Sequence, residues 1–352
     1  MIQLREGAQL PTVEEYASVL MSMSVPQDHT PISNIGLVAG DPGDWMAVRI
    51  DIEDLGERWS LLPGPEFSPR LYRGQNRRYE RTVASLFRLK NENEWVVAST
   101  QLTEFGWYVV QHPGFHALNQ EEIGGLKGHV NLMVQGQHYG LATEFLDTTR
   151  NRDVAEFFAR CRATDNKDPT EPWECVPQKE YDAVLYTVDL KELIHESSNE
   201  ARIVPMGPSP FLRPYRQAAV GLRLHGADFV QLPAVQEERL PYSRERARHL
   251  LEQFDQGQFL FPKDALSELS QRILTADDLP AEAVRAARKL IGRPYLLQEI
   301  CNRIEAAGFR VTDRDPLLDQ TLASRLSSEW RALAPEYFAR IKAREVCESY
   351  KP

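Results

Sequence analysis

The sequence predicts an α+β fold: a mixed, mainly antiparallel sheet core flanked by helices, followed by a helical C-terminal region. Three observations carry that prediction. Asp182–Leu190 contains Ala-Val-Leu-Tyr-Thr-Val bounded by acidic residues, the signature of a strand. Asp153–Arg162 places Val154, Ala155, Phe157, Phe158 and Cys161 in one apolar stripe, the signature of a helix, with Asn151 or Asp153 to cap it. After about residue 242, Pro280–Ile291, Pro294–Ala307, Pro316–Leu333 and Pro335–Ser349 each begin with proline, which suits the first helical position.

The remaining elements follow in chain order. Residues 11–23 read as a helix, with Thr12 as N-cap and Glu15 completing a capping box. Residues 24–44 are rich in Pro, Gly and Asp and read as loop. Trp45–Ile52 is a strand, and residues 55–70 hold three prolines and two glycines. Arg70–Gly74 is a strand ending at a turn, and Tyr79–Leu89 reads as helical. Trp107–Val110 fits a strand or a buried helix segment equally. Residues 121–136 read as helical after Gly124-Gly125, and residues 163–180 as an exposed insertion. Val220–Leu224 and Asp228–Leu232 suggest a strand pair turning at His225-Gly226. In the C-terminal region Leu318, Leu322, Leu326 and Trp330 recur every four residues and mark a buried face. The organisation expected is 1–54 as an N-terminal helix and loop segment, 55–275 as a mixed α/β domain and 276–352 as the helical region.

The chain has 352 residues, 42% of them hydrophobic, enough for a substantial core without disulfides or metal. Its net charge of −10 repels phosphate at long range, so nucleic acid is expected only as a substrate and a membrane surface not at all. A local exception is the run Arg70, Arg73, Arg77, Arg78 and Arg81. The four cysteines form no CxxC pair and no His stands at zinc-finger spacing from them, so no metal is expected. Scattered thiols and an opening without a basic-then-apolar leader suggest a reducing cytoplasm.

Two stretches carry chemistry. In Tyr72-Arg73-Gly74-Gln75, an Arg at a strand end can hold a phosphate or carboxylate in two-point contact, with glycine backbone that a ligand can approach. The bland alternative is an Arg paired with a nearby carboxylate. In Gln135 to Thr149, His138 can act as acid, base or oriented donor near neutral pH. Asp147 can orient His138 or a substrate hydroxyl, and Thr143, Thr148 and Thr149 offer hydroxyls. The bland alternative is a polar turn before the helix at 153.

Together these stretches resemble the FRG domain family, named for Phe-Arg-Gly, here Tyr72-Arg73-Gly74. Gln75 continues the first motif, and Gln137 to Thr143 with Phe145, Leu146, Asp147 and Thr149 follows the second. Ala155 and Phe158-Ala159 match the helix after it, Gln217 fits a late Gln, and Leu260-Phe261-Pro262 a terminal signature. The resemblance spans about residues 55–275. Ala142, Glu144 and Thr148 stand where the family usually has Pro, Arg and Trp.

The motif order is also similar to that of ADP-ribosyltransferases. The resemblance implies NAD as substrate, with Arg73 and Gln75 on its pyrophosphate or ribose side. It puts Tyr139 on nicotinamide, and Thr143, Thr149 or His138 near the ribose. The late residue would be Gln217 by order. Glu238 is the chemically better alternative, because a carboxylate stabilises an oxocarbenium-like ribose. The function implied is a bacterial NAD-using ADP-ribosyltransferase-like or NAD-glycohydrolase-like effector, a toxin or phage-defence protein. The alternative is a non-catalytic nucleotide- or protein-binding module whose C-terminal helices dock a partner.

Overall fold

The computed structural model describes residues 29–31, 37–38, 45–52, 55–63, 69–123, 125–164, 169–195, 202–204, 209–224, 226–291, 294–340 and 343–344. The helix expected over 11–23 and the turn residue His225 lie outside them.

Six strands build the central sheet: β1 (Arg70–Gln75), β2 (Phe145–Thr149), β3 (Val184–Asp189), β4 (Arg202–Val204), β5 (Ala219–Arg223) and β6 (Val235–Arg239). Their order across the sheet is β4-β5-β2-β1-β3-β6, and every neighbouring pair is antiparallel. β1 and β3 pair along all six residues of β1. β1 and β2 meet only at Tyr72 opposite Thr149. The sheet is therefore joined at one end of β1 and parted at the other.

Eight helices matter here: α1 (Glu92–Val109), α2 (Leu132–His138), α3 (Arg152–Arg160), α4 (Leu212–Arg216), α5 (Ala265–Thr275), α6 (Ala281–Ile291), α7 (Leu297–Ala306) and α8 (Gln320–Arg340). α3 lies on one face of the sheet, where Ala155 and Ala159 pack with Ala183, Leu185 and Leu240. The other face buries Leu71, Tyr186, Val188, Val220 and Leu222 against Phe229 and Leu232. Two-residue periodicity assigns each strand residue to one of these faces. α1 is buried on nearly every side: Val96 and Val97 pack with Val284, Ala287, Ile300 and Ile304, while Leu102 and Phe105 pack with α2, α5 and α8. The C-terminal helices thus share their core with α1. No helix among the described residues is long and apolar enough to cross a membrane.

Several expectations are met: the strands at 45–52, 70–75 and 184–189, the helix after Asn151, and the buried face of Leu322, Leu326 and Trp330. Trp107–Val110 resolves as the end of α1, a helix so fully buried that no polar face marks its period. Within the stretch of three prolines and two glycines, Gly56–Pro63 is a strand paired with Trp45–Ile52, closed by Gly56 at φ +69°. Other expectations are corrected. Tyr79–Leu89 holds only a single 3₁₀ turn at Ser85–Arg88, because its backbone bonds go elsewhere: Thr82 N–H donates to Asp228 and Leu86 N–H to the carbonyl of Thr143. Residues 121–136 contain the short strands Glu122–Ile123 and Leu126–Gly128 before α2. Phe229–Gln231 is a 3₁₀ turn, and the strand that follows, β6, pairs with β3 instead of β5. The last two predicted helices are one, α8, with Pro335 inside it.

Candidate functional site

The site forms where β1 and β2 part. α2 starts at Asn131, whose side chain accepts from the N–H groups of Met133 and Val134, and it ends at His138. The chain then reverses through Gly140 at φ +86°, a conformation that a side chain would strain, and enters β2. This reversal sets His138 against Asp147 of β2, with His138 Nε2 3.6 Å from Asp147 Oδ1. On the other ring edge, Nδ1 lies 3.1 Å from Gln217 Oε1. Gln217 Nε2 donates to the carbonyl of Leu260 at 3.0 Å, which leaves Oε1 as the acceptor and gives Nδ1 the proton. The His138 side chain is only 1% exposed, whereas that of Asp147 is 34% exposed.

Arg73 approaches from β1. Its Nη1 donates to the backbone carbonyl of Asp147 at 2.7 Å across the parted strands. Its Nε is buried without a hydrogen-bond partner, and among the described residues no carboxylate forms an ion pair with it. Burial lowers the Arg73 pKa; the charge of Asp147 opposes that fall and the nearby charge of Arg88 adds to it. Asp147 thus touches both motifs, receiving Arg73 on its carbonyl and facing His138 with its carboxylate. Arg73, Asp147, His138, Gln217 and Leu260 form one connected chain.

Residues 68–168 match the FRG domain family. This chain carries an FRG domain. No curated protein and no solved structure matches. The match contains Arg73, His138 and Asp147 and ends before Gln217 and Leu260, which complete the network from outside it.

The glycine of the FRG motif has a reason other than ligand access. A Cβ on Gly74 would stand 1.7 Å from the carbonyl oxygen of Ala155, so α3 lies directly on the backbone there. The close approach expected of a ligand is made by a helix.

The other predicted site residues divide. Gln75 lies at the end of β1, partly exposed, and accepts from Thr82 Oγ1 at 3.4 Å. Tyr139 is corrected: it is 1% exposed, its hydroxyl donates to Asp264 at 3.0 Å, and Arg213 and Phe105 flank its ring. No face remains for nicotinamide. Thr143 is fully buried, bonded to Gln137 and holding the segment at Ser85. Thr149 is buried and donates to the carbonyl of Gln217 at 2.6 Å, fixing that residue beside His138. Glu238 lies on β6, with β3 and β1 between it and the Asp147 strand β2. It stands opposite Leu185 and Gly74, on the face that α3 covers, and pairs with Arg152. Arg73, Tyr186 and Glu237 make the adjacent cross-strand row and share the other face, so Glu237 is the acidic residue of β6 on the Arg73 side.

Sequence reasoning missed Arg213 and Asp264. Arg213 Nη1 lies 3.4 Å from the carbonyl of His138, and burial pushes the Asp264 carboxyl pKa upward while Arg213 opposes it. No motif in the FRG pattern marks either. Glu144, which replaces the family's cation, is held by Arg223 at 2.8 Å and closes a local ion pair on β5. Among the described residues no group of three His, Cys, Asp or Glu could hold a metal ion.

Proposed function

We propose that the FRG domain binds the pyrophosphate of an NAD-type dinucleotide through Arg73 and cleaves its nicotinamide–ribose bond, as an ADP-ribosyltransferase or an NAD glycohydrolase. One observation carries this reading. A guanidinium with a buried, unpartnered Nε and no ion-pair partner among the described residues sits where the sheet parts, joined through Asp147 to a histidine. A buried cation without a counter-ion is costly, and an incoming phosphate removes that cost.

The residues suggest the following chemistry. The C1′–N bond breaks, and its electron pair leaves with nicotinamide, which becomes neutral. Asp147, the partly exposed carboxylate of the network, stabilises the oxocarbenium-like ribose. Water or an acceptor hydroxyl then attacks C1′ and passes its proton to solvent water. His138 is too enclosed to touch the ribose. Its Nε2 faces Asp147 at 3.6 Å, and Gln217, itself bonded to Leu260, holds the ring at Nδ1. Acting inside a bacterial cell, such an enzyme depletes NAD or modifies a target, which fits a toxin or phage-defence role.

The test is free nicotinamide in a mixture of pure protein and NAD. The expected result is release by the wild type and loss of at least about a hundredfold in Asp147→Asn, the scale of one electrostatic stabiliser. NAD binding without any release would leave the second reading, a non-catalytic nucleotide-binding module. The enclosure of His138 and the absence of Tyr139 and Glu238 from the opening favour that second reading. Growth arrest on expression, relieved by Arg73→Ala, would support the effector role.

A further inference from the structure

Residues 76–89 run from the end of β1 towards α1, along the rim of the opening. They carry Arg77, Arg78, Arg81 and Arg88 against one acidic residue, Glu80, in a chain whose net charge is −10. Arg78 is neutralised by Glu237 at 2.8 Å. Arg77, Arg81 and Arg88 are exposed, and among the described residues none of them forms an ion pair. Two large aromatic rings stand exposed in the same segment, Tyr79 at 40% and Phe87 at 42%. Arg77 lies over one face of Tyr79, 4.7 Å from its centroid.

The segment is held in place although it has almost no regular structure. Thr82 and Ala84 are buried. Thr82 is bonded at both its N–H and its carbonyl, to Asp228 and Phe229, each at 2.9 Å. Ser85 and Leu86 are tied to Thr143. The residues on either side of these anchors, 77–81 and 87–88, are exposed, and they include the cations and the rings.

We propose that this rim is a binding surface for single-stranded nucleic acid, with Arg77, Arg81 and Arg88 on successive phosphates and Tyr79 and Phe87 stacking on bases. Cations without ion-pair partners alternating with partly exposed aromatic rings are what a single strand requires: charge for its backbone, and flat apolar surface for bases that no second strand covers. An acidic protein surface would use the cations and leave the rings in water. The overall negative charge confines the attraction to the rim, since repulsion from the rest of the surface is screened beyond about 8 Å at physiological salt. The surface stands beside the opening but needs no turnover of NAD, so it is testable whether or not that reaction occurs.

The experiment is fluorescence anisotropy of a labelled 20-nucleotide oligo(dT) with the full chain. Three phosphate contacts predict a salt slope of about −2, hence a weakening on the order of 20-fold between 50 and 200 mM salt. Arg81→Ala/Arg88→Ala should remove most of that slope. Tyr79→Ala/Phe87→Ala should weaken binding by about tenfold or more while keeping the slope. All four positions are exposed, and an unchanged thermal midpoint verifies the fold of each variant. Absence of binding at 50 mM salt would overturn the proposal. So would wild-type affinity in either variant, or competition by base-free polyphosphate as strong as by the oligonucleotide.

Discussion

Two regions of this molecule bury a charge, and they handle it in opposite ways. In the helical region, Glu104 of α1 is fully buried, with Arg314 Nη2 2.8 Å away and the Tyr108 hydroxyl at 3.2 Å. Arg314 in turn reaches Asp278, with Nε 2.9 Å from Oδ1. In the FRG region, Arg73 meets a backbone carbonyl and no ion-pair partner among the described residues. The first charge is closed within the protein and joins α1 to the segment before α8. The second has no counter-ion among the described residues and sits at a break in a sheet. A charge with an internal counter-ion marks structure; the cation without one is the seat we propose for an anion.

The sharpest way to break this comparison is to remove each cation. Arg314→Leu should destabilise the protein by about 3–5 kcal/mol, because Glu104 is left buried without its partner. Arg73→Met should change stability by less than about 1 kcal/mol, since it removes a charge that nothing internal completes. Urea unfolding of the two variants measures both. Equal losses would end the distinction.

A second expectation concerns pH. Burial pushes Glu104 up to about 7 from an ordinary 4.5, despite the opposing charge of Arg314. The folded state therefore retains a proton that the unfolded chain has lost between those values. Stability from this group falls as pH rises from 4.5 to about 7 and is flat above. Relative to Glu104→Gln, the wild type should lose up to about 1.4 kcal/mol per pH unit across that window. Unfolding midpoints of both proteins from pH 4.5 to 8 test it, and a constant offset would contradict it. His112 and His129 act in the opposite sense. Burial holds both at about 3, so their contribution is lost as pH falls below their ordinary 6.5.

The smallest expected effect belongs to Glu238. Its side chain is 55% exposed and paired with a half-exposed Arg152 on the face away from Arg73. Glu238→Gln should alter stability by less than about 0.5 kcal/mol and leave NAD binding and nicotinamide release at wild-type levels. Glu237→Gln, on the Arg73 row, should reduce one or the other.

The sequence was informative where local chemistry decides the outcome. Proximity of Arg73, His138 and Asp147 was legible because short motifs carried it, and Gln217 because an Arg-rich turn precedes its strand. The N-cap at Asn151 and the stripe of α3 were legible because helix period and capping are local. What was not legible depends on partners far away in the chain. The residues after Tyr79 look helical until their donors find Asp228 and Thr143. β6 joins β3 rather than β5, a choice made by the sheet as a whole. Tyr139 belongs to a polar motif, yet it is buried because Asp264, 125 residues later, supplies its hydroxyl with an acceptor. The faces of Glu237 and Glu238 are separated by one residue of register, which composition cannot resolve.

The central claim is that Arg73 is an open anion seat. Calorimetric titration of ADP-ribose, which carries the pyrophosphate without the scissile bond, tests it most directly. The account predicts binding by the wild type and a loss of affinity of about a hundredfold in Arg73→Ala, with the thermal midpoint unchanged. Equal affinity in the two proteins, or no binding by a folded wild type, would contradict it.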